Sequence, residues 1–217
     1  MTLTIHRLAP IELRVLGCLI EKQRTTPEQY PLTLNALRIA CNQATNREPV
    51  LDLDESQVRG AVQHLGTLGW ARLATGPGSR TAKYRQLFGE ALDLLPSEVS
   101  ILGVLMLRGP QTVAELKTRT ERLYHFGSNE DVTQTLTRLD EKELVHLLPK
   151  QPGQREERWT HLLSDGPAEE PSQAEGSSQA EDGPVRVETP SVERRLAQVE
   201  QRLGELERLL AERGLIE

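Results

Sequence analysis

Hydrophobic residues recur at helical spacing in two segments of the chain that resemble each other. Residues 10–19 are PIELRVLGCL and residues 96–105 are PSEVSILGVL. The apolar positions in both follow the period of an amphipathic helix. A proline in the first turn and a glutamate two residues later are typical of a helix N-terminus. We therefore infer an internal repeat in which each copy begins with a helix.

A second match relates two predicted β-hairpins. Residues 72–88 resemble residues 146–163, and each segment has two strand-like runs joined by a turn that contains glycine. A helix with one apolar face is expected before each hairpin, at 55–68 and at 130–142. One more helix is expected earlier in each half, at 33–42 and at 112–122.

Three helices followed by a hairpin, found twice, are typical of the winged-helix variant of helix-turn-helix. We predict a mainly α fold with small β-wings, an α+β class, built from two tandem winged-helix domains and a C-terminal coiled-coil helix. The predicted divisions are 1–90 for domain one, 91–163 for domain two, 164–190 for a linker and 191–217 for the coiled-coil helix.

The linker is expected to be disordered and acidic. Residues 164–190 contain seven acidic and one basic side chain and almost no large apolar residue. Residues 1–163 contain 20 basic and 19 acidic side chains, so the net charge of -6 arises mainly in the linker. A nearly neutral body is compatible with nucleic-acid binding, because local patches decide that interaction.

The last segment has a heptad pattern of apolar residues. The predicted dimerisation residues are Val192, Leu196, Val199, Leu203, Leu206 and Leu210. Arginines at g and glutamates at e favour a parallel homodimer over an antiparallel one. The alternative is a helix that folds back on its own chain.

Other features exclude several classes of function. The chain has no apolar run long enough for a membrane span and no apolar stretch at its N-terminus, so we expect a cytoplasmic protein without membrane contact. No nucleophile elbow, phosphate-binding glycine loop or paired carboxylates are visible, so we expect no enzyme and no cofactor. Cys18 and Cys41 are expected to be buried packing residues, and the five scattered histidines predict no metal site.

One segment carries a family resemblance. Residues 21–50, EKQRTTPEQYPLTLNALRIACNQATNREPV, resemble the YceH-like family of uncharacterised bacterial proteins, as do the neighbouring LGCLIEK and the later LMLRGPQTVAEL. The similarity covers about residues 8–163 and resumes in the C-terminal helix. The resemblance implies two winged-helix domains, and it implies no activity, substrate or catalytic residue.

Domain one has the features of a DNA-binding surface. Its hairpin, 70–88, contains four basic and no acidic side chains, and the outer face of its third helix is rich in side chains that can bind bases. The candidate DNA-binding residues are Arg59, Gln63, His64, Arg72, Arg80, Lys83 and Arg85. The alternative is that the hairpin and the outer face of the third helix are ordinary solvent-exposed surfaces.

Domain two is expected to bind protein. Its third helix and its hairpin contain several acidic side chains, which repel phosphate. We therefore predict a DNA-binding protein with a transcriptional regulatory role, whose partners are duplex DNA, a second copy of the chain and a protein at domain two. The alternative is an interaction scaffold like the winged-helix subunits of bacterial chromosome segregation.

The segment NQATNREP, at 42–49, allows two interpretations. It is either a loop that contacts phosphate or a partner through Arg47, or a loop whose amides cap helix ends. In the second interpretation Arg47 pairs with Glu48 or another nearby acid.

Overall fold

The computed structural model describes residues 6–74, 81–150 and 153–164. These residues form a mixed α/β structure that is mostly helical, with small antiparallel sheets. The C-terminal segment, with the predicted linker and the six predicted dimerisation residues, lies outside the described residues.

The first half of the chain forms three helices and a small sheet. The helices are α1, Pro10–Thr25; α2, Leu34–Cys41; and α3, Glu55–Thr67. A single 3-10 turn, Pro27–Gln29, follows α1. The strands are β1, Leu32–Thr33; β2, Ala71–Leu73; and β3, Lys83–Gln86, in the antiparallel order β1-β3-β2.

The second half repeats this order after a short connecting helix, α4, Phe88–Ala91. Its elements are α5, Pro96–Arg108; α6, Val113–Thr120; α7, Asn129–Glu141; and the antiparallel pair β4, Val145–Leu148, and β5, Arg158–His161. The second and third helices of each half therefore lie where the sequence pattern predicted them, with ends that differ by one or two residues, and α1 and α5 extend beyond the repeated segments 10–19 and 96–105. The loop from α2 to α3 is longer than the three or four residues of a helix-turn-helix.

In each half, a glutamate of the first helix contacts the third helix or the residue that follows it. Glu12 in α1 and Glu98 in α5 both accept a hydrogen bond at 2.8 Å from the backbone N–H that precedes their own helix. Glu12 Oε1 also lies 2.6 Å from Nδ1 of His64 in α3, and Glu98 Oε2 lies 2.9 Å from Nζ of Lys142, just after α7. The repeated sequence thus produces a repeated contact.

The two halves are joined where α1 crosses α5. A Cβ atom on Gly17 would lie 2.8 Å from Leu107 Cγ, and one on Gly103 would lie 2.8 Å from Ile20 Cγ2. Because real Cβ atoms do not approach so closely, each helix requires a glycine where the other helix touches it. The contact is reciprocal, since the two glycines are equivalent positions of the repeat.

One continuous apolar core contains side chains from both halves. The segment before α1 also contacts the end of the second half, where the N–H of Leu8 donates to the carbonyl of Leu163 at 2.7 Å. His161, nearby in β5, is partly buried, and loss of hydration lowers its pKa to about 4. All described residues belong to one compact unit of the chain, and the division predicted at residue 90 stays a prediction.

We predict that Gly17→Ala destabilises the protein by about 1–3 kcal/mol, because the added methyl group overpacks the crossing of α1 and α5. Gly60→Ala is the matched control: nothing lies within 4 Å of its Cβ position in α3, and alanine favours helix over glycine. Urea unfolding followed by circular dichroism measures both. Equal stability of Gly17→Ala and the parent chain would contradict a close crossing.

Candidate nucleic-acid interface and the anchored loop

Three basic side chains share one face of the first sheet. The strand register places Arg72 of β2 directly opposite Arg85 of β3, and Lys83 lies two residues before Arg85 on the same face. Tyr84 and Gln86 alternate with them and are buried. Like charges at directly opposed positions destabilise a sheet unless an anion balances them. This sheet face therefore concentrates positive charge.

Some of that charge is balanced within the protein. Arg85 pairs with Glu90 at 2.6 Å, just beyond the strand. Among the residues that the structure describes, neither Arg72 nor Lys83 has an acidic partner within 4.0 Å. Arg80, the fourth basic residue of the predicted set, lies outside the described residues. Within the part of the hairpin that the structure describes, Arg72 and Lys83 are therefore available to an external anion.

The outer face of α3 holds the other candidates. Arg59, Gln63 and His64 are all exposed, as predicted from the helical period. Arg59 forms a 2.5 Å ion pair with Glu55 one turn earlier, and His64 contacts Glu12. The exposed pair of Arg59 and Glu55 contributes about 0–1 kcal/mol, so a phosphate or a base can displace it. The DNA-binding role of these residues stays a prediction.

The corresponding surface of the second half is acidic. Glu130, Asp131, Asp140 and Glu141 of α7 are all exposed. The strand pair after α7 carries basic and acidic side chains close together, with Arg155 next to two exposed glutamates. By sequence, the first hairpin, 70–88, has four basic and no acidic side chains, whereas the second, 145–161, has three basic and two acidic ones.

The loop between α2 and α3, residues 42–54, is held from inside by Arg47. Its guanidinium is completely buried and forms two hydrogen bonds to the carboxylate of Glu21 in α1, at 2.6 and 3.1 Å. It also donates to the carbonyl of Ala40 and to the side chain of Gln43. Of the two interpretations of this loop, the contacts agree with the internal one. The acid is Glu21, however, and not Glu48.

Arg14 is a second buried cation at the base of the loop. Its side chain is 2% exposed and donates to the carbonyls of Cys41, at 3.1 Å, and Pro49. Its Nε has no hydrogen-bond partner, and no carboxylate pairs with it among the described residues. Burial lowers the pKa of Arg14, because the charged form loses its hydration.

The ion pair fixes the charge of Glu21 despite its burial. Burial alone raises the pKa of a carboxyl group, but the hydrogen bonds and charge of Arg47 outweigh it and lower the pKa of Glu21. Sequence analysis did not single out Glu21 or Arg14. Their spacing could have indicated that they are buried. Positions 14, 18 and 21 share one face of α1, and the two charged residues flank a cysteine on that face.

The two cysteines lie on the neighbouring helices α1 and α2. Cys18 of α1 and Cys41 at the end of α2 are both free and fully buried, as predicted. Arg14, one turn before Cys18 on α1, donates a hydrogen bond to the carbonyl of Cys41, which the sequence did not indicate. Among the described residues, no three metal-binding side chains come together and no helix has the length and apolar character needed to cross a membrane.

We predict that Arg47→Met destabilises the protein by about 3–5 kcal/mol, because it removes the buried cation that forms two hydrogen bonds to Glu21 and leaves that carboxylate with only the more distant Lys22, at 3.3 Å. Arg59→Met is the matched control: it removes an exposed pair and should change stability by less than about 1 kcal/mol. Urea unfolding measures both variants. Equal effects in the two variants would mean that Arg47 does not anchor the loop.

The chain matches known bacterial proteins over most of the described region. The family model described as "Protein of unknown function, DUF480" matches residues 8–154. A "UPF0502 protein" of Azotobacter vinelandii (strain DJ) is 52% identical over 153 residues, which are 70% of this chain and 68% of the relative. A "UPF0502 protein" of Pseudomonas fluorescens (strain SBW25) is 50% identical over 159 residues, 73% of this chain and 72% of the relative. The expected membership of an uncharacterised bacterial family is thus confirmed: the chain belongs to the DUF480 family, whose members are also called UPF0502 proteins.

Proposed function

We propose that this protein is a tandem winged-helix DNA-binding protein that contacts duplex DNA through its first half. In this proposal α3 is the recognition helix and the hairpin β2–β3 is the wing. The second half binds a protein partner, the C-terminal helix pairs two copies, and the protein regulates transcription in the cytoplasm without catalysing a reaction.

The observation that carries the proposal is the basic face of the first sheet. Arg72 and Lys83 lie on one side of a two-stranded hairpin and lack internal acidic partners in the described region. A wing reaches the DNA backbone, and basic side chains on it replace condensed counterions at the phosphates. Exposed arginine and glutamine on α3 offer donors and acceptors that fit guanine and adenine.

The acidic surface of α7 supports a different role for the second half. Glu130, Asp131, Asp140 and Glu141 would repel phosphate. A chain in which both halves bind only proteins is the alternative function, and this surface is the observation in its favour. DNA binding decides between the two, because a pure scaffold has no reason to show a steep salt dependence with DNA.

We predict that Arg72→Ala combined with Lys83→Ala weakens DNA binding and reduces the slope of log K against log salt by about 1.8, the loss of two phosphate contacts. Fluorescence anisotropy with random duplex DNA at several salt concentrations measures the slope. Lys117→Ala combined with Lys150→Ala removes the same charge from the second half and should leave the slope unchanged. Equal effects of the two double variants would mean that net charge determines the slope, and they would reject a specific contact between DNA and the predicted wing.

We also predict that Leu203→Asp converts a dimer into a monomer, because it places a charge in the apolar heptad seam. Gln201→Asp, on the outer side of the predicted helix, is the matched control and should remain dimeric. Sedimentation equilibrium of the full chain gives the masses. The prediction that the heptad seam joins two chains would be rejected if the parent chain is monomeric, or if the Leu203→Asp chain has the same mass as a dimeric parent.

A further inference from the structure

Contacts with the N-terminal segment fix the point at which the second half ends and the predicted linker begins. The N–H of Leu8 donates to the carbonyl of Leu163 at 2.7 Å, and the guanidinium of Arg7 donates to the carbonyl of Ser164 at 3.1 Å. The predicted linker starts at this serine. Its first residues therefore follow directly from a point beside residues 6–8.

Residues 6–8 also reach the first sheet. The ring of His6 packs edge-on against Trp70, with 5.8 Å between the ring centroids. The N–H of Leu87 donates to the carbonyl of Trp70 at 2.8 Å, so this pair continues the ladder of β2 and β3. Because side chains alternate along a strand, Trp70 and Arg72 lie on the same face of the sheet. The N-terminal segment thus connects the start of the linker with the basic face of the first sheet.

The start of the linker is long enough to reach this face. The segment 6–8 spans at most about 10 Å, and the nearer arginine of the face lies two strand positions, about 7 Å, beyond Trp70. Six extended residues span about 20 Å, and the side chains of glutamate, arginine and lysine add several ångströms. Residues 165–170, DGPAEE, can therefore bring Glu169 and Glu170 to the basic face.

The charges on the two sides are opposite. Residues 165–170 contain three acidic side chains and no basic one. On the sheet, Arg72 and Lys83 lack an acidic partner among the residues that the structure describes. The exposed face of α7 is acidic and would repel the same segment. Of these two surfaces, the first sheet is therefore the one that complements the start of the linker.

We propose that the basic face of the first sheet is a docking surface for the chain's own residues 165–170, through ion pairs of Glu169 and Glu170 with Arg72 and Lys83. A single exposed ion pair is weak in water. This segment is tethered close to the surface, however, at an effective concentration on the order of millimolar, so two weak pairs can hold it at low salt.

The docked segment would compete with nucleic acid. Its carboxylates pair with the same two cations that would replace counterions at the phosphates of DNA. This consequence rests on the proposed function, whereas the docking itself does not. The predicted linker thereby lowers the affinity of the first half for any anionic partner that does not displace it.

Zero-length cross-linking of the full chain with a water-soluble carbodiimide tests the docking without DNA. The reagent joins a carboxyl group to an amine only where the two touch, and Lys83 is one of five lysines in the chain. At low salt we expect an amide between Lys83 and Glu169 or Glu170, identified by mass spectrometry. High salt screens exposed charges and should abolish it. Lys150, exposed in the second hairpin, is the comparison amine and should form no amide with either glutamate.

Isotope labelling shows whether the segment docks on its own chain or on a second copy. Labelled and unlabelled chains are refolded together before cross-linking. Intramolecular docking gives cross-linked peptides that are uniformly labelled or uniformly unlabelled. Peptide pairs of mixed labelling, or the absence of any cross-link between Lys83 and the segment at low salt, would overturn the proposal.

Neutral glutamine in place of the two glutamates tests the competition. Glu169→Gln combined with Glu170→Gln should tighten binding of the full chain to random duplex DNA about fivefold at low salt, the effect of losing two exposed ion pairs. Glu130→Gln combined with Glu141→Gln is the matched control: it removes the same charge from α7 and should leave the affinity nearly unchanged. Equal gains in the two variants would show that only net charge matters and would contradict competition for the basic face.

The same substitutions in a chain without the two cations complete the test. In a chain that carries Arg72→Ala and Lys83→Ala, neutral Glu169 and Glu170 variants should no longer gain affinity for DNA. A gain as large as in the parent chain would place the action of the segment elsewhere and would contradict the docking surface. If none of these chains binds DNA, the proposed function fails, and the cross-link to Lys83 alone decides whether the segment docks.

Discussion

The crossing of α1 and α5 is the contact on which the rest of the structure depends. Glycine at equivalent positions of the two repeats lets the helices approach until Leu107 and Ile20 fill the space that a methyl group would need. The middle of α1, residues 13–20, and nearly all of α5, residues 97–107, are buried. The elements that carry the candidate surfaces pack against the two crossing helices. The first sheet and α3 contact α1, and α7 contacts α5. A chain without the two glycines would have to separate the halves or repack the core.

A second constraint acts within the first half. The long connection between α2 and α3 has no backbone ladder to hold it, and buried side chains take over that role. Arg47 and Arg14 satisfy carbonyl oxygens of α2 and of the loop, while Glu21 balances one of the two charges. The position of α3 therefore depends on ionic contacts that originate in α1.

Local patterns in the sequence predicted the helices and hairpins well, because each amphipathic face and each glycine turn is encoded within a few residues. They also predicted that Arg59, Gln63 and His64 are exposed on α3 and that both cysteines are buried. The partner of Arg47 was not predictable, since Glu21 is distant in the sequence and becomes a neighbour only when α2 packs on α1. The pairing of His64 with Glu12 and the reciprocal glycine contact escaped prediction for the same reason: each joins elements whose relative placement the pattern does not specify.

Native-state hydrogen exchange tests most directly whether the crossing unites the two halves. If α1 and α5 share one core, their slowest amides exchange only through global unfolding, with the same free energy and the same dependence on denaturant. We predict that the amides of Leu16 and Leu102 behave in this way. Exchange of Leu102 through a separate opening, at lower free energy and with a smaller denaturant dependence than Leu16, would show that the halves unfold independently and would contradict a shared core.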